Sequence, residues 1–166
     1  VYIAAGVTGI GDNAFRSQTS ISNMEIEDPS QLTQIGRYAL SGLTADIQFG
    51  EAGDSDTLDL SRVQTLGESA FAGTSLGCSV ILGADLTAKE EINTPNKVAD
   101  SAFQSCGLTG ITFSAPSSIT AIGADAFYGN RSISSIDLPD SLTTIGARAF
   151  QAGVMNSFNT NVTHLE

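Results

Sequence analysis

"IGADAFYGN", residues 122–130, is followed by a near copy, "IGARAFQAG", at 145–153, and "IGDNAFRSQ" stands at 10–18. The shared phrase is an apolar residue, Gly, two variable residues, Ala and Phe. Six copies align: Ile10-Gly11 with Ala14-Phe15, Ile35-Gly36 with Ala39-Leu40, Leu66-Gly67 with Ala70-Phe71, Val98-Ala99 with Ala102-Phe103, Ile122-Gly123 with Ala126-Phe127, and Ile145-Gly146 with Ala149-Phe150. The last residue of the phrase recurs at spacings of 25, 31, 32, 24 and 23 residues, averaging 27. Self-similarity at such a spacing marks an array of stacked units.

A second phrase follows each of the first five copies after roughly ten residues: Met24-Glu25-Ile26, Ile47-Gln48-Phe49, Val80-Ile81-Leu82, Ile111-Thr112-Phe113 and Ile136-Asp137-Leu138. Apolar residues at alternate positions describe a short strand with one buried face. Pro29, Pro116 and Pro139 then close three of these strands, where proline cannot extend a hydrogen-bond ladder. Each unit reads as strand, turn, short apolar segment, Gly, and one helical turn carrying Ala and Phe. Gly is expected to allow the backbone to turn, Ala to permit close stacking, and Phe to fill the interior. One unit of this size cannot bury its apolar face alone, whereas stacked units can. The expected result is a parallel sheet on one side and a ladder of Phe rings within.

The two long spacings locate insertions near 50–60 and 83–97, in "GEAGDSDTLDLSR" and "GADLTAKEEINTPNK". Both follow the strand, so neighbouring loops on one edge are expected, and such loops often carry binding. Residues 1–166 read as one solenoid domain that opens late in one repeat and closes near Phe158 in another, as a piece of a longer array would.

Composition narrows the function classes. Charged residues are only 15% of the chain, and 18 acidic against 7 basic residues give a net charge of −11. Phosphate backbones are bound by clustered Lys and Arg, so nucleic acid and anionic membrane surfaces are poor partners. No apolar run reaches the roughly 20 residues of a membrane helix. Cys78 and Cys106 are too few for a disulfide framework or a four-ligand zinc site. They read either as two buried thiols or as a single bridge.

"SSIDLPDSLTTIGARAF", residues 134–150, resembles the consensus of BspA-type leucine-rich repeats, and "TGITFSAPSSITAIGADAF", residues 109–127, is nearly as similar. The likeness runs from Val7 to about Phe150. Leu40 in place of Phe, Ala99 in place of Gly, and the missing strand-exit prolines of the second and third repeats depart from it. The resemblance implies an α/β leucine-rich-repeat solenoid: a right-handed, curved superhelix of about six repeats. Its short-stranded parallel sheet would line the concave face, with short helical turns elsewhere. It further implies a secreted or surface-anchored bacterial protein that adheres to host matrix or cell-surface proteins, without catalysis or a cofactor. It also places a buried Cys at the third position after Phe, which is Cys106.

Catalysis needs convergent nucleophile, base or metal groups. His164 is the sole histidine and lies near the end of the chain, and neither cysteine has a histidine partner in context. Glu25 and Asp137 fall in distant repeats, too far apart for a glycosidase pair. The sequons at Asn130 and Asn161 read as chance. In the first insertion Glu51, Asp54, Asp56 and Asp59 are a weak calcium candidate, although their spacing departs from the calcium loops that place Gly sixth and Glu twelfth. The remaining candidates are the outward strand midpoints, Glu25, Gln48, Ile81, Thr112 and Asp137. Apolar Ile81 is suited to anchor a protein partner or to mark a register slip. A spacer holding other domains away from the cell, or a carbohydrate-binding module, are the competing readings. Against the latter, Trp is absent and most Phe fit core positions.

Overall fold

The computed structural model describes all residues except 51–55, 134, 154–156, 160–163 and 166. Its chain winds in roughly six turns, each crossing two bands of short strands and one band of tight turns. The first band stacks Tyr2–Ile3, Asn23–Ile26 and Asp46–Phe49 in parallel register. It continues as a second sheet of Thr57–Leu60, Ser79–Leu82 and Gly110–Phe113, and a third of Ser135–Asp137 with Ser157–Asn159. The other strand band runs Gly9–Ile10, Gln34–Ile35, Thr65–Gly67 and Thr87–Lys89, then Lys97–Val98, Ala121–Ile122, Thr144–Ile145 and His164–Leu165. Among the described residues one pairing is antiparallel, Thr94–Pro95 against Thr87–Lys89.

The alternation read from the sequence is what the strands bury. Met24, Ile26, Ile47, Phe49, Val80 and Leu82 face inward, all below a tenth exposed. They join a continuous core with Ala39, Ala70, Ala102, Ala126 and Ala149, which are essentially inaccessible. Phe71, Phe103, Phe127 and Phe150 form the expected ladder: their ring centroids lie 5.2, 5.6 and 5.3 Å apart, with interplanar angles of 7°, 3° and 9°.

The α/β description and its helical turns need correction. Among the described residues the one helical segment is the three-residue 3-10 helix Pro29–Gln31, and the Ala-Phe segments are turns. Hydrogen bonding explains the difference. In the first coil the amides of Asn13, Phe15 and Ser17 donate sideways to the carbonyls of Arg37, Ala39 and Ser41, at 2.8, 2.7 and 2.8 Å. The intervening amides of Ala14 and Arg16 donate three residues back, to Gly11 and Asn13. An α-helix directs every amide along its own axis, so a segment that sends alternate amides to the next coil cannot be one. The same alternation recurs in later coils, from Tyr38, Leu40 and Gly42 to Glu68, Ala70 and Ala72 and from Asp125, Phe127 and Gly129 to Ala147, Ala149 and Gln151. It requires a left-handed residue just before each Ala: Asn13, Tyr38, Ser69, Ser101, Asp125 and Arg148 have φ between 53° and 58°.

The glycines of the phrase also act differently from expectation. Gly36, Gly67, Gly123 and Gly146 have no positive φ. A Cβ on Gly146 would lie 2.7 Å from the Ala124 nitrogen, and one on Gly123 equally close to that of Asp100. These positions are glycine because successive backbones approach too closely for a side chain.

The two insertions leave the coil in different places. The one near 50–60 supplies the strand Thr57–Leu60, which pairs with Ser79–Leu82 while Asp46–Phe49 pairs with Asn23–Ile26. The one near 83–97 supplies a hairpin in the other strand band, Thr87–Lys89 with Thr94–Pro95. They are therefore not neighbouring loops at one equivalent point. The hairpin's base is pinned where the Lys97 ammonium meets Glu90 and Asp100, each at 2.8 Å. Burial works against that charge, but the two carboxylates outweigh it and raise the Lys97 pKa.

Candidate functional site

All five strand midpoints face away from the core. Gln48, Thr112 and Asp137 are exposed; Glu25 and Ile81 are half-exposed. Register brings them together in subsets. Glu25 pairs with Gln48 and with Tyr2, and Ile81 pairs with Thr112 and with Asp59. Asp137 belongs to the third sheet, opposite Asn159. Ile81 is in register, flanked by buried Val80 and Leu82, so no slip occurs there.

Polar side chains are treated differently on the two sides of the molecule. All five described ion pairs lie in the second strand band, the turns and the hairpin. Arg37 bonds Glu68 at 2.8 Å, Lys89 reaches from the fourth coil to Asp12 at 2.7 Å, and Arg148 grips Asp125 through two bonds of 2.6 and 2.9 Å. Lys89 holds the Asp12 carboxyl below the usual carboxylate range, and Arg148 does the same for Asp125. By contrast the side chains of Glu25, Gln48, Thr112 and Asp137 make no hydrogen bond or ion pair among the described residues. The strand face thus presents polar groups whose hydrogen-bonding capacity the fold itself leaves unused.

Of the calcium candidates, Glu51 and Asp54 lie outside the described residues. Asp56 is exposed and offers its backbone carbonyl to Ser79, and Asp59 sits in a strand with its carboxylate accepting the Ser61 amide at 2.8 Å. Among the described residues no three His, Cys, Asp or Glu side chains cluster for a metal. Cys78 and Cys106 are both free and buried. Burial pushes both thiols up, and Cys106 donates to the Phe71 carbonyl at 3.4 Å. The backbone of His164 pairs with Thr144. Glu25 and Asp137 stand in separate sheets.

Cys106 belongs to a column of small polar residues three positions after the ring ladder. Thr74 donates to the Phe71 carbonyl at 2.7 Å. Asn130 donates to the carbonyls of Phe103 and Phe127 at 2.7 and 2.9 Å and accepts the Leu108 amide at 2.9 Å. Asn130 is 1% exposed, so its sequon cannot be reached in the folded chain.

One feature of the surface has no counterpart in the sequence reading. Gly110–Phe113 and Ser135–Asp137 lie side by side, though among the described residues no ladder pairing joins them. Between the turns that follow these two strands opens a cleft of about 380 Å3, with Phe113, Pro116, Asp137, Pro139 and Asp140 among its lining residues. Phe113 occupies the strand position that buries Ile26, Phe49 and Leu82, yet it is left half-exposed. Its residue type and spacing match those core positions, so nothing in the sequence pattern marks it as surface.

No helix among the described residues is long and apolar enough to cross a membrane. Comparison with curated proteins and with solved structures returned no match. Comparison with protein families matched the BspA type leucine rich repeat region in six copies, over residues 1–82 and 49–166. Such repeats are typical of bacterial surface proteins and are generally protein-interaction modules without catalytic activity. The match spans the whole length of the sequence and coincides with its turns, strands and ring ladder, and the chain belongs to the BspA-type leucine-rich-repeat family.

Proposed function

We propose that the protein is a non-catalytic recognition module of a secreted or cell-surface protein, and that it adheres to a protein on a host matrix or a neighbouring cell through its strand face, the concave side of the solenoid. The observation that carries this reading is the contrast in polar pairing. The described ion pairs lie away from the strand face, whereas among the described residues the side chains of Glu25, Gln48, Thr112 and Asp137 form none, and half-buried Ile81 stands beside Thr112 on that face. Unsatisfied polar groups beside an apolar anchor are what a partner's core and rim contacts require.

The test is capture of purified protein on a panel of immobilised matrix proteins and glycans, with a Gln48→Arg/Ile81→Arg variant alongside. We expect saturable binding to a protein ligand that the variant loses while its melting temperature is unchanged. Binding that survives the variant removes the strand face from the interaction. A second reading, a spacer that holds other domains outward, draws on the inter-coil hydrogen bonds that brace every turn, and absence of binding to any ligand favours it. Capture on glycans alone favours a carbohydrate-binding module.

A further inference from the structure

The hairpin of the second insertion carries an apolar side chain in the open. Ile92, at its tip, is 80% exposed; the other exposed large apolar residues among those described are Val1 and Tyr2, at the start of the chain. Glu91 and Asn93 on either side of Ile92 are exposed as well, and their side chains make no hydrogen bond or ion pair among the described residues. The chain before and after this tip is fixed. Lys89 bonds Asp12 at 2.7 Å, and the next residue, Glu90, takes the Lys97 ammonium at 2.8 Å and the Asp100 amide at 2.9 Å. Past the tip, Thr94 pairs with Ala88 and its hydroxyl donates to the Ile92 carbonyl at 3.3 Å. Three residues are thus held between anchored ends, so the ordering cost that a mobile loop meets on binding is already met by the fold.

Strand addition is not what this edge offers. Thr94–Pro95 is the outermost strand of its five-stranded sheet, but it is two residues long and Pro95 has no amide proton. The tip presents instead a side-chain knob, a branched apolar group with a carboxylate next to it. A lipid surface matches it poorly, because one Ile gives little area and anionic headgroups repel Glu91 and the net charge of −11. A second copy of the chain matches no better, since four of its seven Lys and Arg are already engaged in ion pairs. An apolar pocket with a basic rim complements both groups of the tip.

We propose that Ile92 is a knob that inserts into an apolar pocket of a partner protein, with Glu91 meeting a Lys or Arg on the rim of that pocket. The proposal takes from the reading above that the partner is a protein, and it does not depend on the strand face.

The experiment has two arms. In the first, the whole chain is titrated with β-cyclodextrin, an apolar ring cavity, and with its heptakis-amino derivative, whose rim is cationic, and amide shifts are followed by proton–nitrogen correlation NMR. We expect saturable shifts at Glu91, Ile92 and Asn93, with the amino ring binding at least about threefold tighter. Ile92→Ser should abolish these shifts, Ile92→Leu should keep them, and Glu91→Gln should remove the preference for the amino ring. Shifts that miss these residues or survive Ile92→Ser overturn the proposal, as does equal affinity for the two rings. In the second arm Ile92→Ser joins the capture panel, where it should weaken binding at least about tenfold. Capture that Ile92→Ser leaves intact overturns the proposal, whatever Gln48→Arg/Ile81→Arg does. Capture lost with Ile92→Ser but kept with Gln48→Arg/Ile81→Arg supports the knob and removes the strand face. Ile92 makes no core contact to lose, so an unchanged melting temperature is expected for each tip variant.

Discussion

Replacing Phe103 with Ala tests the ring ladder where it is most enclosed. Phe103 is fully buried and stacked on both faces, on Phe71 at 5.2 Å and on Phe127 at 5.6 Å. An aromatic side chain of this kind buries on the order of 200 Å2, which at roughly 25 cal/mol per Å2 amounts to about 5 kcal/mol. Phe→Ala changes in cores cost about 3 to 5 kcal/mol, and the cost is greatest where the cavity cannot collapse. Here collapse is opposed from both sides, because the Phe103 amide bonds the Ala126 carbonyl and the Ala102 carbonyl holds the Phe71 amide, both at 2.8 Å. The loss should therefore lie at the upper end, about 5 kcal/mol. For a chain of this length each kcal/mol lowers the melting temperature by roughly 2 to 4 °C, so a fall of about 10 to 20 °C is expected by circular dichroism or calorimetry. Phe103→Leu should cost about a third of that. Benzene at saturating concentration should raise the melting temperature of Phe103→Ala and not that of the parent, by filling a slot walled by two rings. A fall below about 4 °C, or no benzene effect, would refute the idea that the coils are held at fixed spacing around the ladder.

Other outcomes follow from the same geometry. Asn130→Ala strands the Leu108 amide and removes a donor from two carbonyls; urea unfolding should show a loss of about 3 kcal/mol. Ser101 has φ of 54°, so Ser101→Val should destabilise by about 2 kcal/mol, whereas Ser101→Gly should be within about 0.5 kcal/mol of the parent. With both thiols buried and shifted up, Ellman's reagent at pH 8 should read near zero in the native state and two thiols in guanidinium. Asp12, Asp28 and Asp125 have folded pKa values lowered by Lys89, by Ser30 and by Arg148 respectively. The stability they confer is complete above the unfolded carboxylate pKa and is lost as pH falls through the lower folded values. Melting temperature should thus drop below about pH 4, and Arg148→Gln should shrink the Asp125 part of that drop.

Much of the scaffold was legible because a repeated sequence reports the same physical environment six times. Ala126 is small in every copy because a neighbouring coil lies against it, and Phe127 recurs because each ring supports the next. The helical turn was misread because Ala and Phe are compatible with a helix, and nothing local in the Gly-x-x-Ala-Phe phrase reveals that Asn13 or Tyr38 must turn left-handed. That geometry is imposed by carbonyls 22 to 31 residues away, such as Arg37 for Asn13 and Glu68 for Tyr38. Gly146 was recognised as necessary, but for its freedom instead of for the 2.7 Å approach of Ala124. The strand midpoints were found because period-two alternation forces Gln48 and Thr112 outward wherever Ile47 and Ile111 point in.

The sequence by itself determined the repeat, its length, the buried set and the outward residues, since each follows from local periodicity and from the need to stack apolar faces. Only the tertiary structure decided which outward residues meet, that Asp59 stands opposite Ile81, that the described parts of the two insertions join different strand bands, and that a cleft opens beside Phe113. Those outcomes depend on which segments of successive coils come to lie side by side. That is a relation between segments more than twenty residues apart, and no single repeat encodes it.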